Sequence, residues 1–311
     1  MKYSIVFPGQ GSQSLGMMSD LRSNFSVVNE IFQEASDSIN VNLWKIVNEN
    51  QESLNLTKNT QPVMLAAGYA TFRVLASEVN LIPISFAGHS LGEYTALVAS
   101  GSLDFFEAVQ LVRKRAELMQ AAVPNGSGSM AAILGLEDEK VIEICSIANK
   151  LGVVEAVNFN SPGQVVIAGE KKAVASACEL MKEAGAKRAL VLSVSVPSHC
   201  SLMKDAAMEY KYSVDNINFQ MGSEKVLHNV DADYSSNIDE IKSKLVEQLY
   251  KPVLWTSTVQ KMKESGVEKL IEAGPGKVLA GLTRRIDKSL SGSAIIDTTS
   301  LRATIEEISN A

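Results

Sequence analysis

The sequence predicts an α/β protein with a mostly parallel sheet and an inserted α+β unit. Three observations point there. Short apolar runs alternate with helical stretches towards both ends of the chain. The middle changes rhythm to strand, helix, strand, strand, helix, strand. And 46% of the 311 residues are hydrophobic while only 6% are aromatic. Alternating strand and helix favours a parallel sheet covered by helices on both faces. A core of Ala, Val, Leu and Ile suits that arrangement. The length accommodates one large domain or a domain with an insertion.

The first run, 3–7 (YSIVF), is too short for the apolar segment of a signal peptide and reads as a strand. The second, 81–87 (LIPISFA), reads as a buried strand leading into a helix, EYTALVAS, that Gly101 stops. Residues 104–122 (DFFEAVQLVRKRAELMQAA) form the next helix, with Ala108, Leu111, Val112, Met119 and Ala122 on one face at the 3.6-residue period. Strands at 129–135, 153–159, 165–169 and 187–195, with helices at 137–150 and 171–184, give the order βαββαβ, the ferredoxin-like pattern. NGSGS at 125–129 and VPSHC at 196–200 border this unit. The expected organisation is therefore one subdomain built from 1–126 and 196–311, carrying an inserted subdomain at 127–195. Strands at 225–230 (KVLHNV) and 268–272 (EKLIE) complete the main sheet.

A net charge of −6 disfavours nucleic-acid binding, and an acidic partner would need a local basic patch. Cys145, Cys178 and Cys200 contain no C-x-x-C pair and are too few for a disulfide framework, so no metal site is expected and a reducing cytoplasm fits. No stretch approaches the roughly 18 apolar residues of a membrane span. A cytoplasmic monomer without membrane or nucleic-acid partners is expected.

Gly88-His89-Ser90-Leu91-Gly92 sits between a strand and a helix, the context in which Gly-x-Ser-x-Gly projects a nucleophilic serine from a sharp turn. The positive end of the helix dipole then faces the same point, which suits an oxyanion. The plainer reading is a serine that caps the helix. A nucleophilic serine needs a base, and the chain has three histidines. His89 adjoins Ser90 and should diverge from it, which suits a structural or supporting role. His228 lies within KVLHNV, as a half-buried, hydrogen-bonded strand residue. His199 stands at the junction between subdomains, where clefts form, and elimination favours it. Cys200 is a rival nucleophile whose alternative is a small buried residue. The FPGQGSQ loop at 7–13 lacks the glycine at position 14 that a dinucleotide loop needs. It is either a tight turn or a second source of backbone N–H groups, with Gln10 partnering Leu91. Arg115 falls on the apolar face of its helix, whereas Arg113 and Glu117 form an exposed i,i+4 pair. A guanidinium pointing inward needs a partner, and two stand open: a glutamate of the chain, or a substrate carboxylate bound bidentately.

FPGQGSQ, GHSLGEYTAL, RAELMQ, NFNSPGQVVIAG at 158–169, VPSHC, QLYKPVLWT at 248–256 and EAGPGKVLAGL at 272–282 occur in that order along nearly the whole chain. Together they resemble the stand-alone malonyl-CoA:acyl carrier protein transacylases of bacterial-type fatty acid synthesis. The resemblance implies an α/β-hydrolase-like core with the ferredoxin-like insertion, Ser90 as nucleophile and His199 as base. It also implies an oxyanion hole from the Gln10 and Leu91 N–H groups and Arg115 as clamp for the malonyl carboxylate. Gln248 matches the residue whose main-chain carbonyl orients the histidine, so no catalytic Asp is required, and Asn160 matches a supporting position. The implied substrates are malonyl-CoA and acyl carrier protein, which carries its own phosphopantetheine, with no other cofactor. Carrier proteins of this kind are acidic, and Lys187, Arg188, Lys277, Arg284 and Arg285 are the cations that would meet one.

Overall fold

A computed structural model describes residues 1–194 and 196–310. The main sheet has five strands in the order β7-β2-β1-β8-β9, every neighbouring pair parallel. These are β1 Tyr3–Phe7, β2 Phe86–Gly88, β7 Val226–Leu227, β8 Lys269–Ala273 and β9 Ser291–Ile295. Successive side chains point to opposite faces. Tyr3, Ile5 and Phe7 of β1 enter the core beneath the helix Thr57–Glu78, while Val6 joins Trp255, Val259 and Met262 on the other face. Covering both faces with helices is what buries β1, β2, β7 and β8 along their whole length.

The second sheet is antiparallel, in the order β4-β5-β3-β6, from β3 Gly128–Leu134, β4 Val154–Ser161, β5 Gln164–Glu170 and β6 Arg188–Val191. Helices Asp138–Ala148 and Lys171–Glu183 cover one face, with Ile133, Ile144, Ala177 and Met181 in the core between. Met130, Val157 and Val166 on the opposite face pack with Cys200. The two units are stitched by backbone bonds: Phe159 N–H donates to the Val253 carbonyl at 3.0 Å and Val253 N–H to the Val157 carbonyl at 2.8 Å.

Several expected elements are shorter than the sequence suggested. The 81–87 strand contracts to Phe86–Gly88, because Pro83 has no N–H for a ladder and Ile82 is 76% exposed rather than buried. The 225–230 strand keeps only Val226–Leu227; beyond it Asn229 N–H turns to the Glu93 carboxylate at 3.0 Å. The 187–195 strand ends at Val191, and Ser195 lies outside the described residues, as does Ala311 at the end of the expected second segment. β9 was not expected at all, since SGSAI has little β-forming character. The helix of 104–122 runs Phe105–Ala121 with Asp104 as its cap, accepting from Glu107 N–H at 3.0 Å. Its Arg113–Glu117 pair forms at 2.6 Å, but Arg113 is only 21% exposed and also donates to the Lys58 carbonyl, so it is half-buried. No helix among the described residues is long and apolar enough to cross a membrane.

Candidate active site

All strands of a parallel sheet end on one edge, and ligands bind outside those carboxyl ends. There β1 leads into the FPGQGSQ loop and β2 into the turn that carries Ser90 before the helix Gly92–Ala99. The turn is sharp enough that side chains are excluded around it. A Cβ on Gly88 would fall 1.9 Å from the Gly92 carbonyl carbon, and one on Gly92 would fall 2.1 Å from the Phe7 carbonyl oxygen. Ser90 itself is held at φ +50°, a left-handed conformation that side-chain-bearing residues rarely adopt. Asn229 ties the turn from outside: its Oδ1 accepts from Ser90 N–H and its Nδ2 donates to the Gly88 carbonyl, each at 2.7 Å.

Ser90 Oγ lies 2.8 Å from His199 Nε2. His199 is also left-handed, at φ +66°, and its Nδ1–H donates to the Gln248 main-chain carbonyl at 2.6 Å. That bond keeps the ring proton on Nδ1 and leaves the Nε2 lone pair facing the serine. Burial, reinforced by the positive charge of Arg115, pushes the imidazole pKa down to about 3, so the ring is neutral.

Arg115 is 1% exposed, yet no carboxylate pairs with it among the described residues. The glutamate partner that stood open does not pair with it directly: Glu93 stands behind the Gln248 amide. Nη2 donates to Gln248 Oε1 at 2.9 Å and reaches Ser90 Oγ at 3.3 Å, the guanidinium lies 5.5 Å from the Tyr94 ring centroid, and Nε has no partner among the described residues. Ser90, His199 and Arg115 line a cavity of about 470 Å³ with Gln10 and Leu91, whose far wall is Met130 and Asn158 of the antiparallel sheet. Gly9 presses on the turn so closely that a Cβ there would meet the His89 carbonyl oxygen at 2.5 Å. Neither the Gln10 nor the Leu91 N–H has an acceptor among the described residues, while the Gln10 side chain reaches Thr57 Oγ1 at 3.4 Å.

His89 turns away from Ser90 towards the other unit, pairing with Asn160 Oδ1 at 2.8 Å beside Trp255. Burial pushes its pKa down as well. His228 is fully buried rather than half-buried, and its Nδ1 meets Glu93 Oε1 at 2.8 Å. Cys200 is buried with its Sγ against the Pro197 carbonyl, and burial pushes the thiol up to about 12, which leaves a poor nucleophile. No cluster that would hold a metal occurs among the described residues. Glu93 and Asn229 join the site without having been singled out from sequence. Glu93 carried a signal: it is the one charged residue in GEYTALVA, and a helix apolar on every side is buried.

The fold and this constellation are those of an acyl transferase: the profile described as the acyl transferase domain matches residues 4–299. The chain is 52% identical to the malonyl CoA-acyl carrier protein transacylase of Haemophilus influenzae, over 98% of each chain. Among solved structures, an acyl carrier protein S-malonyltransferase from Vibrio cholerae is 52% identical with a TM-score of 0.95, over 98% of this chain and 100% of that one. A malonyl-transacylase in complex with its type II PKS acyl-carrier protein is 49% identical with a TM-score of 0.97, over 99% and 100% of the respective chains. The chain belongs to the malonyl CoA-acyl carrier protein transacylase family.

Proposed function

We propose that the chain moves a malonyl group from malonyl-CoA to the phosphopantetheine thiol of acyl carrier protein through a malonyl ester on Ser90, supplying fatty acid synthesis. One observation carries this reading: His199 Nε2 and Arg115 Nη2 converge on Ser90 Oγ, at 2.8 Å and 3.3 Å. A base and an acyl-carboxylate anchor thus meet at a single hydroxyl. The α/β-hydrolase-like character of the core is supported by the strand–Ser90–helix turn on a parallel sheet. The ferredoxin-like character of the insertion is supported by its βαββαβ order and its β4-β5-β3-β6 sheet.

In the first half-reaction His199 Nε2 takes the Ser90 proton as Oγ bonds to the thioester carbonyl carbon. The resulting oxyanion lies against the Gln10 and Leu91 N–H groups, and the Gln248 carbonyl stabilises the imidazolium. Collapse breaks the C–S bond, and the imidazolium proton leaves with CoA as its thiol. The carrier thiol enters by the same path, gives its proton to His199 and takes the acyl group, restoring Ser90. No cofactor enters these steps, and the kinetics are ping-pong. Arg115 pairs with the free carboxylate of malonyl, which fixes which acyl group is accepted.

The test is the mass of the protein after malonyl-CoA is added without carrier protein. The reading expects a stable malonyl adduct on Ser90 that disappears when holo carrier protein is added and appears on the carrier. An adduct that still forms on Ser90→Ala would move the nucleophile elsewhere, and immediate turnover to free malonate would make the chain a hydrolase.

A further inference from the structure

The helix Gly92–Ala99 carries one charge, Glu93, and buries it completely. Its carboxylate accepts from three donors: His228 Nδ1 at 2.8 Å, Asn229 N–H at 3.0 Å and Gln248 Nε2 at 2.7 Å. Three donors are what an ionised carboxylate needs away from water. The Gln248 amide then has no freedom. Its Nε2 divides its hydrogens between Glu93 and the Ser90 carbonyl at 3.0 Å, so its Oε1 must face Arg115 Nη2. Turning the amide over would set its oxygen against a carboxylate and a carbonyl, and its NH₂ against a guanidinium.

We infer that Glu93, braced by His228, is a positioning residue for acyl selectivity: through the Gln248 side chain it aims Arg115 and supplies that cation's countercharge at one remove. A carboxylate paired directly with Arg115 would occupy the guanidinium fork. One placed behind a neutral amide offsets the buried charge and leaves Arg115 Nε without a partner among the described residues. Glu93 does not bond to Ser90 Oγ; it reaches Arg115 through Gln248 and the Ser90 turn through Asn229. Only the first route bears on which acyl group is chosen, so the malonyl-to-acetyl ratio is the readout that isolates it. This inference rests on the proposed reading of Arg115 as the malonyl carboxylate anchor.

The experiment compares Ser90 acylation by malonyl-CoA and acetyl-CoA, together with thermal unfolding, in wild type and five variants. Wild type comes first: no malonyl adduct on Ser90, or no preference for malonyl over acetyl, sinks the Arg115 reading before any variant is compared. Given that preference, Glu93→Gln should lower the malonyl-to-acetyl ratio of kcat/KM about tenfold or more, the scale of a lost charge-assisted bond. Gln248→Met, which keeps the main-chain carbonyl for His199, should lower it similarly, and the double variant should fall no further than either single one. His228→Asn keeps a donor for Glu93 and should hold the ratio, whereas His228→Leu should lower it. An unchanged ratio in Glu93→Gln, or losses that multiply in the double variant, overturns the inference whatever happens to the melting temperature. If Glu93→Gln does not fold, the His228→Leu and His228→Asn pair decides, and equal ratios in those two overturn it.

Discussion

Arg115 sits at 1% exposure with an amide, a hydroxyl and an aromatic ring in contact and the Glu93 carboxylate only at one remove, so its guanidinium fork stays without a directly bonded anion until one arrives. Charge-assisted bonds contribute about 1.5–3 kcal/mol each. Arg115→Ala should therefore lower kcat/KM for malonyl-CoA by about 10²-fold or more and leave acetyl-CoA unchanged or improved. Arg115→Lys should fall between, because a point charge cannot reproduce the fork. Equal losses for both acyl groups with a lower melting temperature would return Arg115 to the scaffold. The same cation acts on His199, whose pKa lies near 3. The base is then already deprotonated through the ordinary range, and the acylation rate should stay level as pH falls from 8 to well below 6. An acid limb near the ordinary imidazole value of about 6.5 in single-turnover kinetics would contradict it. The stability sign follows from linkage. The unfolded chain takes this proton near 6.5 and the folded chain only near 3, so His199 lowers stability progressively as pH drops between them. His199→Asn should show a shallower loss of melting temperature over that interval.

Two elements hold the machinery by their ends. The helix Gly92–Ala99 starts where the Phe7 carbonyl passes closest, so Gly92→Ala forces strand and helix apart. Acylation should fall steeply, with a stability loss of about 1–3 kcal/mol typical of overpacking; both are read from single-turnover rates and denaturant titration. At the other side of the sheet, Glu272 near the end of β8 accepts from Ala280 N–H at 2.8 Å, in the first turn of the helix Val278–Ile286. Burial nevertheless pushes its pKa up to about 7, against the backbone donors that pull it down. A carboxyl raised in the folded state contributes its full stability below the unfolded value and loses it as pH rises through 7. Glu272→Gln keeps the acceptor without the charge. Its melting temperature relative to wild type should therefore rise between pH 5 and pH 8, and a difference that does not move with pH would refute the buried-charge account.

At the scale of the molecule, the cavity exists only because two sheets face each other. Ser90, His199 and Arg115 come from the body of the parallel sheet, Met130 and Asn158 from the antiparallel one. The His89–Asn160 contact and the Phe159–Val253 bonds set the distance between them. The surface is acidic, with a net charge of −6, yet Lys187 and Arg188 on one unit and Lys277, Arg284 and Arg285 on the other are exposed. Arg285 reaches across to Gln164 Oε1 at 3.2 Å. If these cations receive an acidic carrier protein, transfer to carrier should weaken as salt shortens the Debye length from about 10 Å towards 3 Å. Acylation from malonyl-CoA should change less, and Arg284→Glu should slow only the second half-reaction at low salt. Identical salt curves for the two half-reactions would remove the patch.

What the sequence determined by itself is what depends on neighbours a few positions apart. The Gly88-x-Ser90-x-Gly92 turn is legible because only glycine tolerates the backbone contacts on either side of the serine. The inward face of Arg115 follows from a 3.6-residue period, and the βαββαβ order from the spacing of apolar runs. Tertiary structure decided the rest, because it concerns partners far apart in the chain. Ser90 and His199 are 109 positions apart, and Asn229 and Gln248 reach Ser90 across 139 and 158. Elimination could favour His199 over His228, but only folding shows that His228 is spoken for by Glu93. The edge strand β9 was hidden for the same reason, and β7 was expected too long, at 225–230: what makes these residues strands is the neighbour already in place, not their own side chains. A turn is set by local sterics and a helix face by its period, whereas a buried polar network is set by which donors the finished sheet order brings to one carboxylate.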